Sequence, residues 1–316
     1  MTAVAIDYID ESARAYQSTR INALLDGYKT AQQSIEAALR KGTMTDFGTF
    51  RATEQLKQIK AMIAQLNTQC VSVSRDLAKS GYREGVNLAA KAVKATGQDL
   101  GAVDMGNKIH VAAVEAMADK MATDLISANG SMERFAQRLV RGTQQKVISE
   151  TAVNDAVTQG LIKGDTWRSV SKGLREQINE ALDGKLKIPI NGRNYDPRKY
   201  ADLVARTMTR AAATEGTINQ SLQWGITLFQ VSTHGDSCGD CLEFQGKVYS
   251  LGPNDYGFPE LTDEPPYHPH CGHVLLPYVE MSTKERDMMV ELSNGPAMKD
   301  QAAYDARIAE LRKEAA

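Results

Sequence analysis

Seven apolar residues, Leu56, Ile59, Ile63, Leu66, Cys70, Val73 and Leu77, recur at alternating gaps of three and four. This is the a/d seam of a heptad pattern, and a helix built this way needs an apolar partner helix. The simpler reading is a helical hairpin within the chain; the other is an intermolecular coiled coil. On either reading Leu56, Ile59, Ile63, Leu66, Val73 and Leu77 form an interface. Cys70 inside the seam reads as a small core residue.

The flanking segments carry weaker helical signals. Residues 1–40 place Ile6, Tyr8, Ile9, Ile21, Leu24, Leu25 and Tyr28 on an apolar side, before a turn-rich stretch at 41–50. Helical patterns continue over 86–95, 111–127 and 132–158, with Asn129-Gly130 expected to break the last two apart. His110 reads as a packed or capping residue without a functional role. Asp165 has the character of an N-cap, ahead of a helix with Trp167, Val170, Leu174 and Ile178 on one face. Aromatic residues make up only 6% of the chain, so its core must rest on Leu, Ile, Val, Met and Ala, which favours helices over a sandwich or barrel.

From residue 187 the character shifts. Residues 187–195 read as a short hairpin, with Asn191-Gly192 suited to its turn. Asp196-Pro197 is a cap and first-turn pair for a helix over 198–223. Strands are expected at 226–232 and 247–250. Ser282-Thr283-Lys284-Glu285 has the form of a capping box, Gly295-Pro296 interrupts the helix it opens, and 298–313 is a last helix. The expected fold is mainly α: a long N-terminal helical region (1–183), a small α+β Cys/His module (184–281) and a short C-terminal helical tail (282–316).

Four of the five histidines and three of the four cysteines lie between 234 and 273. Cys238-Gly239-Asp240-Cys241 is C-x2-C and His268-Pro269-His270-Cys271 is H-x2-C. Zinc takes four tetrahedral nitrogen or sulfur ligands, and two such turns facing each other are a common structural site. Cys238, Cys241, His268 and Cys271 are the expected ligands of a structural Zn2+, with His270, His273 and His234 in reserve. The alternative is a metal-free group of buried thiols. Catalysis is the weaker reading: there is no H-E-x-x-H or H-x-E motif, and a C-x2-C pair argues for ligation.

Charge bears on partners. Residues 234–281 hold eight acids against one base, Lys247, a net charge of −7 that repels nucleic-acid phosphate. Residues 131–210 hold 15 Lys and Arg against 9 acids, net +6. Solvated helix faces explain that excess; the functional reading is contact with packaged DNA or with an acidic protein surface. The N-terminus has acids where a signal peptide needs bases, and no stretch approaches the roughly 18 apolar residues of a membrane span. The expectation is a protein made and kept in the cytoplasm, or packed into a particle assembled there, with no membrane partner.

Several short runs occur in a specific order: Asn191-Gly192-Arg193, then Tyr200-Ala201-Asp202-Leu203-Val204-Ala205-Arg206-Thr207, Val231 to His234, Cys238-x2-Cys241, Gln245 to Ser250, Tyr256 to Pro259, and His268 to His273 with Pro277-Tyr278. Over about residues 185–280 this order resembles the phage minor capsid protein 2 family, within the wider phage Mu F-like head-morphogenesis group. His270 and Gly272 beside Cys271, and Met208, depart from the family's usual residues. The resemblance implies a structural virion component at the portal vertex or capsid interior, not an enzyme. Its partners would be the portal protein or the major capsid protein, with self-association through helices. The alternatives are a zinc-dependent hydrolase or nuclease in DNA packaging or entry, and an assembly scaffold absent from the mature particle.

Overall fold

The computed structural model describes residues 10–41, 48–148, 187–190, 192–233, 239–252, 255–269, 271–279, 282–296 and 301–314. Among them, three long helices come first: α1 (Glu11–Lys41), α2 (Gly48–Ala95) and α3 (Lys108–Ile148). A hairpin of β1 (Ile188–Ile190) and β2 (Arg193–Tyr195) leads into α4 (Pro197–Gln223). Then follow β3 (Leu228–Val231), the one-turn α5 (Gly239–Leu242), β4 (Val248–Ser250) and β5 (Leu275–Pro277), and α6 (Thr283–Asn294) and α7 (Gln301–Glu314). The fold is mainly helical with two small antiparallel sheets, as expected. Of the described residues, those within 21–74 and 120–204 form one compact unit, and those within 1–20, 75–119 and 205–316 form another.

In the first unit the seam is covered by the chain itself. Ile59, Ile63, Leu66, Cys70 and Val73 are buried and Leu56 is half-buried. The covering helix carries the same spacing: Ile21, Leu24, Tyr28, Ala31, Ile35 and Ala38 of α1 are all buried. The two run antiparallel, because Gln55 Nε2 donates to the Ala38 carbonyl while Gln69 Nε2 donates to that of Ala23. α3 lies against both: the Tyr28 hydroxyl reaches the Leu125 carbonyl at 3.4 Å and Asn129 Nδ2 donates to Asn67 Oδ1 at 2.7 Å.

That last contact corrects an expectation. Asn129-Gly130 does not break the helix; α3 runs through it. Asn129 is fully buried, with its amide also 3.5 Å from Cys70 Sγ, so tertiary bonding holds the segment helical against its local preference. The hairpin is as expected, with Ile190 opposite Arg193 and Gly192 at φ 75°. Asp196 caps α4, its Oδ1 accepting from the Arg198 and Lys199 backbone N–H groups. The Asp165 cap and the 167–178 face lie outside the described residues.

In the second unit the buried stripe of α2 widens to adjacent pairs, Leu77/Ala78, Gly81/Tyr82, Gly85/Val86, Leu88/Ala89 and Ala92/Val93, because the helix now has neighbours on more than one side. One of them is α4, at backbone contact. A Cβ on Gly85 would lie 1.7 Å from the Ala213 carbonyl oxygen, one on Gly81 2.3 Å from that of Thr209, and one on Gly216 2.2 Å from that of Tyr82. Thr217 Oγ1 donates to the Gly85 carbonyl at 3.0 Å. On another side, His110 at the start of α3 is fully buried, with Nδ1 2.8 Å from the Tyr82 hydroxyl and Nε2 2.8 Å from Gln223 Nε2. It is a packed residue, as expected.

α4 feeds the central strand of a three-stranded sheet, order β4-β3-β5, with Phe229 opposite both Tyr249 and Pro277. Alternation sorts its side chains onto two faces. Leu228 and Val248 join Phe258, Met289, Leu292 and Leu311, so α6 and α7 share a core with the sheet. Phe229, Val231 and Leu275 pack with Ile218 of α4 on the other face. Ser282 caps α6 by accepting from the Glu285 N–H at 3.2 Å. At the other end, Val248 N donates to Ser293 Oγ and Lys247 Nζ to the Gly295 carbonyl at 3.0 Å. Burial pushes the Lys247 ammonium below its ordinary pKa.

Two helical glycines therefore respond oppositely to alanine. Gly85→Ala forces helices apart and is expected to lose about 3 kcal/mol of stability. Gly130→Ala, whose Cβ would meet only the flexible Arg134 tip at 3.4 Å, is expected to gain about 0.5–1 kcal/mol. Urea unfolding of the two variants beside the parent tests the contrast.

Candidate metal centre

The Cys/His cluster is assembled from two turns that flank the sheet. The first is α5, which carries Cys241. Its carbonyl accepts from the Phe244 and Gln245 N–H groups, and Gly246, at φ 72°, donates to the Val231 carbonyl before the chain enters β4. The positive φ is one that glycine adopts without strain. In the second turn Cys271 N donates to the His268 carbonyl at 3.0 Å. The chain then runs extended into β5, tied to β3 where Val274 N donates to Ser232 Oγ and its carbonyl accepts from Ser232 N.

These turns bring Cys241, His268 and Cys271 together, three of the four expected ligands. Cys238, with the reserves His234 and His270, lies outside the described residues. The third reserve, His273, stands inside the group: Cys241 Sγ, Cys271 Sγ and a ring nitrogen of His273 all lie within 4.8 Å of one another, and all three residues are buried. Cys241 Sγ is 3.8 Å from Cys271 Sγ, and Cys271 Sγ is 3.7 Å from His273 Nδ1.

Those lengths decide what the group can hold. Zinc at about 2.3 Å from sulfur and about 2.0–2.1 Å from nitrogen, in a tetrahedron, sets sulfurs about 3.8 Å apart and sulfur and nitrogen about 3.5 Å apart. The sulfur pair and the Cys271–His273 pair fit those edges. His268 Nε2 sits 2.9 Å from Cys241 Sγ, shorter than such an edge, so the pair as it stands is hydrogen-bonded. The signal for His273 was present in the sequence. In an extended segment residues two apart face the same way, and Cys271, His273 and Leu275 are buried while Gly272 between them is exposed.

Aromatic rings wall the group. Phe244 and Tyr267 stack with centroids 4.1 Å apart, and Tyr267 lies 6.3 Å from the His273 ring. Burial, then the neighbouring Tyr249, Cys271 and Cys241, push the Tyr267 phenol well above its ordinary pKa. Burial, with Glu243 and Asp263, pushes Tyr249 up to about 12. A loop contact fixes this wall to α4, where Thr214 Oγ1 donates to the Pro265 carbonyl at 2.7 Å.

The family model for phage minor capsid protein 2 matches residues 51–310. The chain belongs to this family. The match reaches well beyond the 185–280 block on which the sequence resemblance rests, taking in nearly all of α2 and the whole of α3. No curated protein and no solved structure matches the chain. Membership implies a minor capsid protein of the virion with other virion proteins as partners, and suggests a structural role. Among the described residues, no helix is long and apolar enough to cross a membrane.

The Tyr267 hydroxyl is buried and has no hydrogen-bond partner among the described residues. Removing it relieves an unsatisfied polar group, so Tyr267→Phe is expected to leave the melting temperature unchanged or raise it. A loss above about 1 kcal/mol would show that the hydroxyl is bonded in solution.

Proposed function

We propose that this minor capsid protein is a structural part of the phage head, seated at the portal vertex or on the capsid interior, with a C-terminal module braced by zinc. The family match supports the minor-capsid part of this reading, because residues 51–310 span nearly all of α2, the whole of α3 and the Cys/His module. The portal protein and the major capsid protein are the partners. Since the heptad seam is covered within the chain, docking and self-association fall to exposed apolar side chains of the helices, such as Val71, Ile109 and Val111.

The edge lengths of the cluster support the second half. Cys241, Cys271 and His273 are three of the four ligands, and the fourth is Cys238, the other half of the C-x2-C pair, or His268. Cys241, Cys271 and His273 are only 2–4% exposed. A catalytic zinc keeps a position open to water and a base beside it; buried donors walled by aromatic rings suit a closed structural site. A sheet of strands three or four residues long buries too little to hold itself, and zinc binding would supply the deficit.

Quantitative mass spectrometry of purified, DNA-filled particles tests the location. A few to tens of copies per particle is the expected result; abundance in lysate with absence from particles would turn the reading towards a scaffold or an enzyme. For the metal, Cys271→Ser is expected to abolish zinc binding and unfold the sheet, read by metal analysis and proteolysis. Wild-type protein that carries no zinc and melts normally after chelation would overturn it.

A further inference from the structure

We propose that His273 binds the zinc through Nδ1 and that Gln245 is the positioning residue that presets it, an inference that rests on the zinc reading above. Gln245 Oε1 lies 3.1 Å from His273 Nε2, and both side chains are buried, 1% and 4% exposed. A carboxamide oxygen only accepts, so Nε2 carries the ring proton. A neutral imidazole protonated there has its lone pair on Nδ1, the atom that stands 3.7 Å from Cys271 Sγ. An outer nitrogen held by an oxygen acceptor, with the inner nitrogen bare, is the pattern of metal-bound histidine.

Gln245 is itself fixed. Its backbone N–H donates to the carbonyl of Cys241, four residues earlier, so one turn carries both a sulfur ligand and the group that orients the nitrogen ligand. The opposite amide orientation would donate to Nε2, move the proton to Nδ1 and aim it at the sulfurs, leaving no lone pair for a metal. His268 is set the other way round. Its Nδ1 lies 2.7 Å from the Pro269 carbonyl, leaving Nε2 bare against Cys241, on a half-exposed ring. Each ring has a carbonyl oxygen on one nitrogen and a cysteine sulfur on the other, but only His273 combines burial with a tetrahedral edge.

The test uses the full chain and zinc. Gln245→Met removes the acceptor at similar volume, and Gln245→Glu keeps one. In chelator competition Gln245→Met is expected to bind one zinc about 10–100-fold more weakly than wild type, and Gln245→Glu to stay within about threefold of it. A two-bond 15N–1H spectrum of the zinc-loaded wild type is expected to show His273 coordinated at Nδ1 and protonated at Nε2. This signature reports the tautomer, which a purely structural role would leave untouched, and it stands even where Gln245→Met does not fold. Equal zinc affinity in Gln245→Met and wild type, or zinc on His268 with His273 uncoordinated, overturns the proposal while leaving the zinc reading intact. Wild type without zinc overturns both.

Discussion

At Gly81, Gly85 and Gly216 the backbones of α2 and α4 touch without side chains between them. The distances leave no room for a methyl group, and Thr217 closes the crossing with a bond to the Gly85 carbonyl. Much of the second unit follows from this contact. It fixes α4, and α4 runs directly into β3, the strand that both other strands of the sheet pair with. Ile218, one turn along α4, lies under one face of that sheet, and Thr214 holds the loop at Pro265 that leads to Tyr267 and His268. The position of the Cys/His group is thus inherited from a helix crossing whose α2 side lies more than a hundred residues away in sequence.

The module distributes its stabilisation unevenly. Towards α6 and α7 it has an apolar core of Leu228, Val248, Phe258, Met289, Leu292 and Leu311. Towards the cluster a second apolar group, Phe229, Val231 and Leu275 with Ile218, Phe244 and Tyr267, meets short loops and buried polar atoms. Hydrogen bonds carry the join on that side: Ser232 with Val274, Gly246 with Val231, Gln245 with His273. A metal among Cys241, Cys271 and His273 would cross-link the two turns beside that core, which is how small loop-rich modules use one.

Much of this was legible in the sequence because local chemistry dictates it. The heptad gaps, the Asn-Gly turn, the Asp196 and Ser282 caps and the strands at 228–231 and 248–250 are each decided within a few residues. What escaped was decided by distant partners. Asn129-Gly130 reads as a break until Asn67 and Cys70 are beside it. Gly81 and Gly85 carry no local signal, and their role is visible only with α4 against them. His273 looked secondary because motif spacing favours x2 pairs, whereas strand alternation places it beside Cys271. Cys238 and the capping pattern at Asp165 fall outside the described residues, so the structure adds nothing to them.

The long reach of the α2–α4 crossing also sets an order of events. A ribosome delivers the chain from its N-terminus, and the hydrogen bond between Gln55 and Ala38 closes over 17 residues, whereas that between Thr217 and Gly85 closes over 132. α1 and α2 can pair as soon as both have emerged, since short loops close at little entropic cost. The small-residue face of α2 must then wait, uncovered, until α4 has been synthesised. Only after that can β3 be placed and the two cysteine turns be brought within reach of each other. The contact on which the module's geometry rests cannot form until about two thirds of the chain has been made, so a chain truncated before residue 213 would keep its paired helices and lack the Ala213 and Thr217 contacts that cover Gly85.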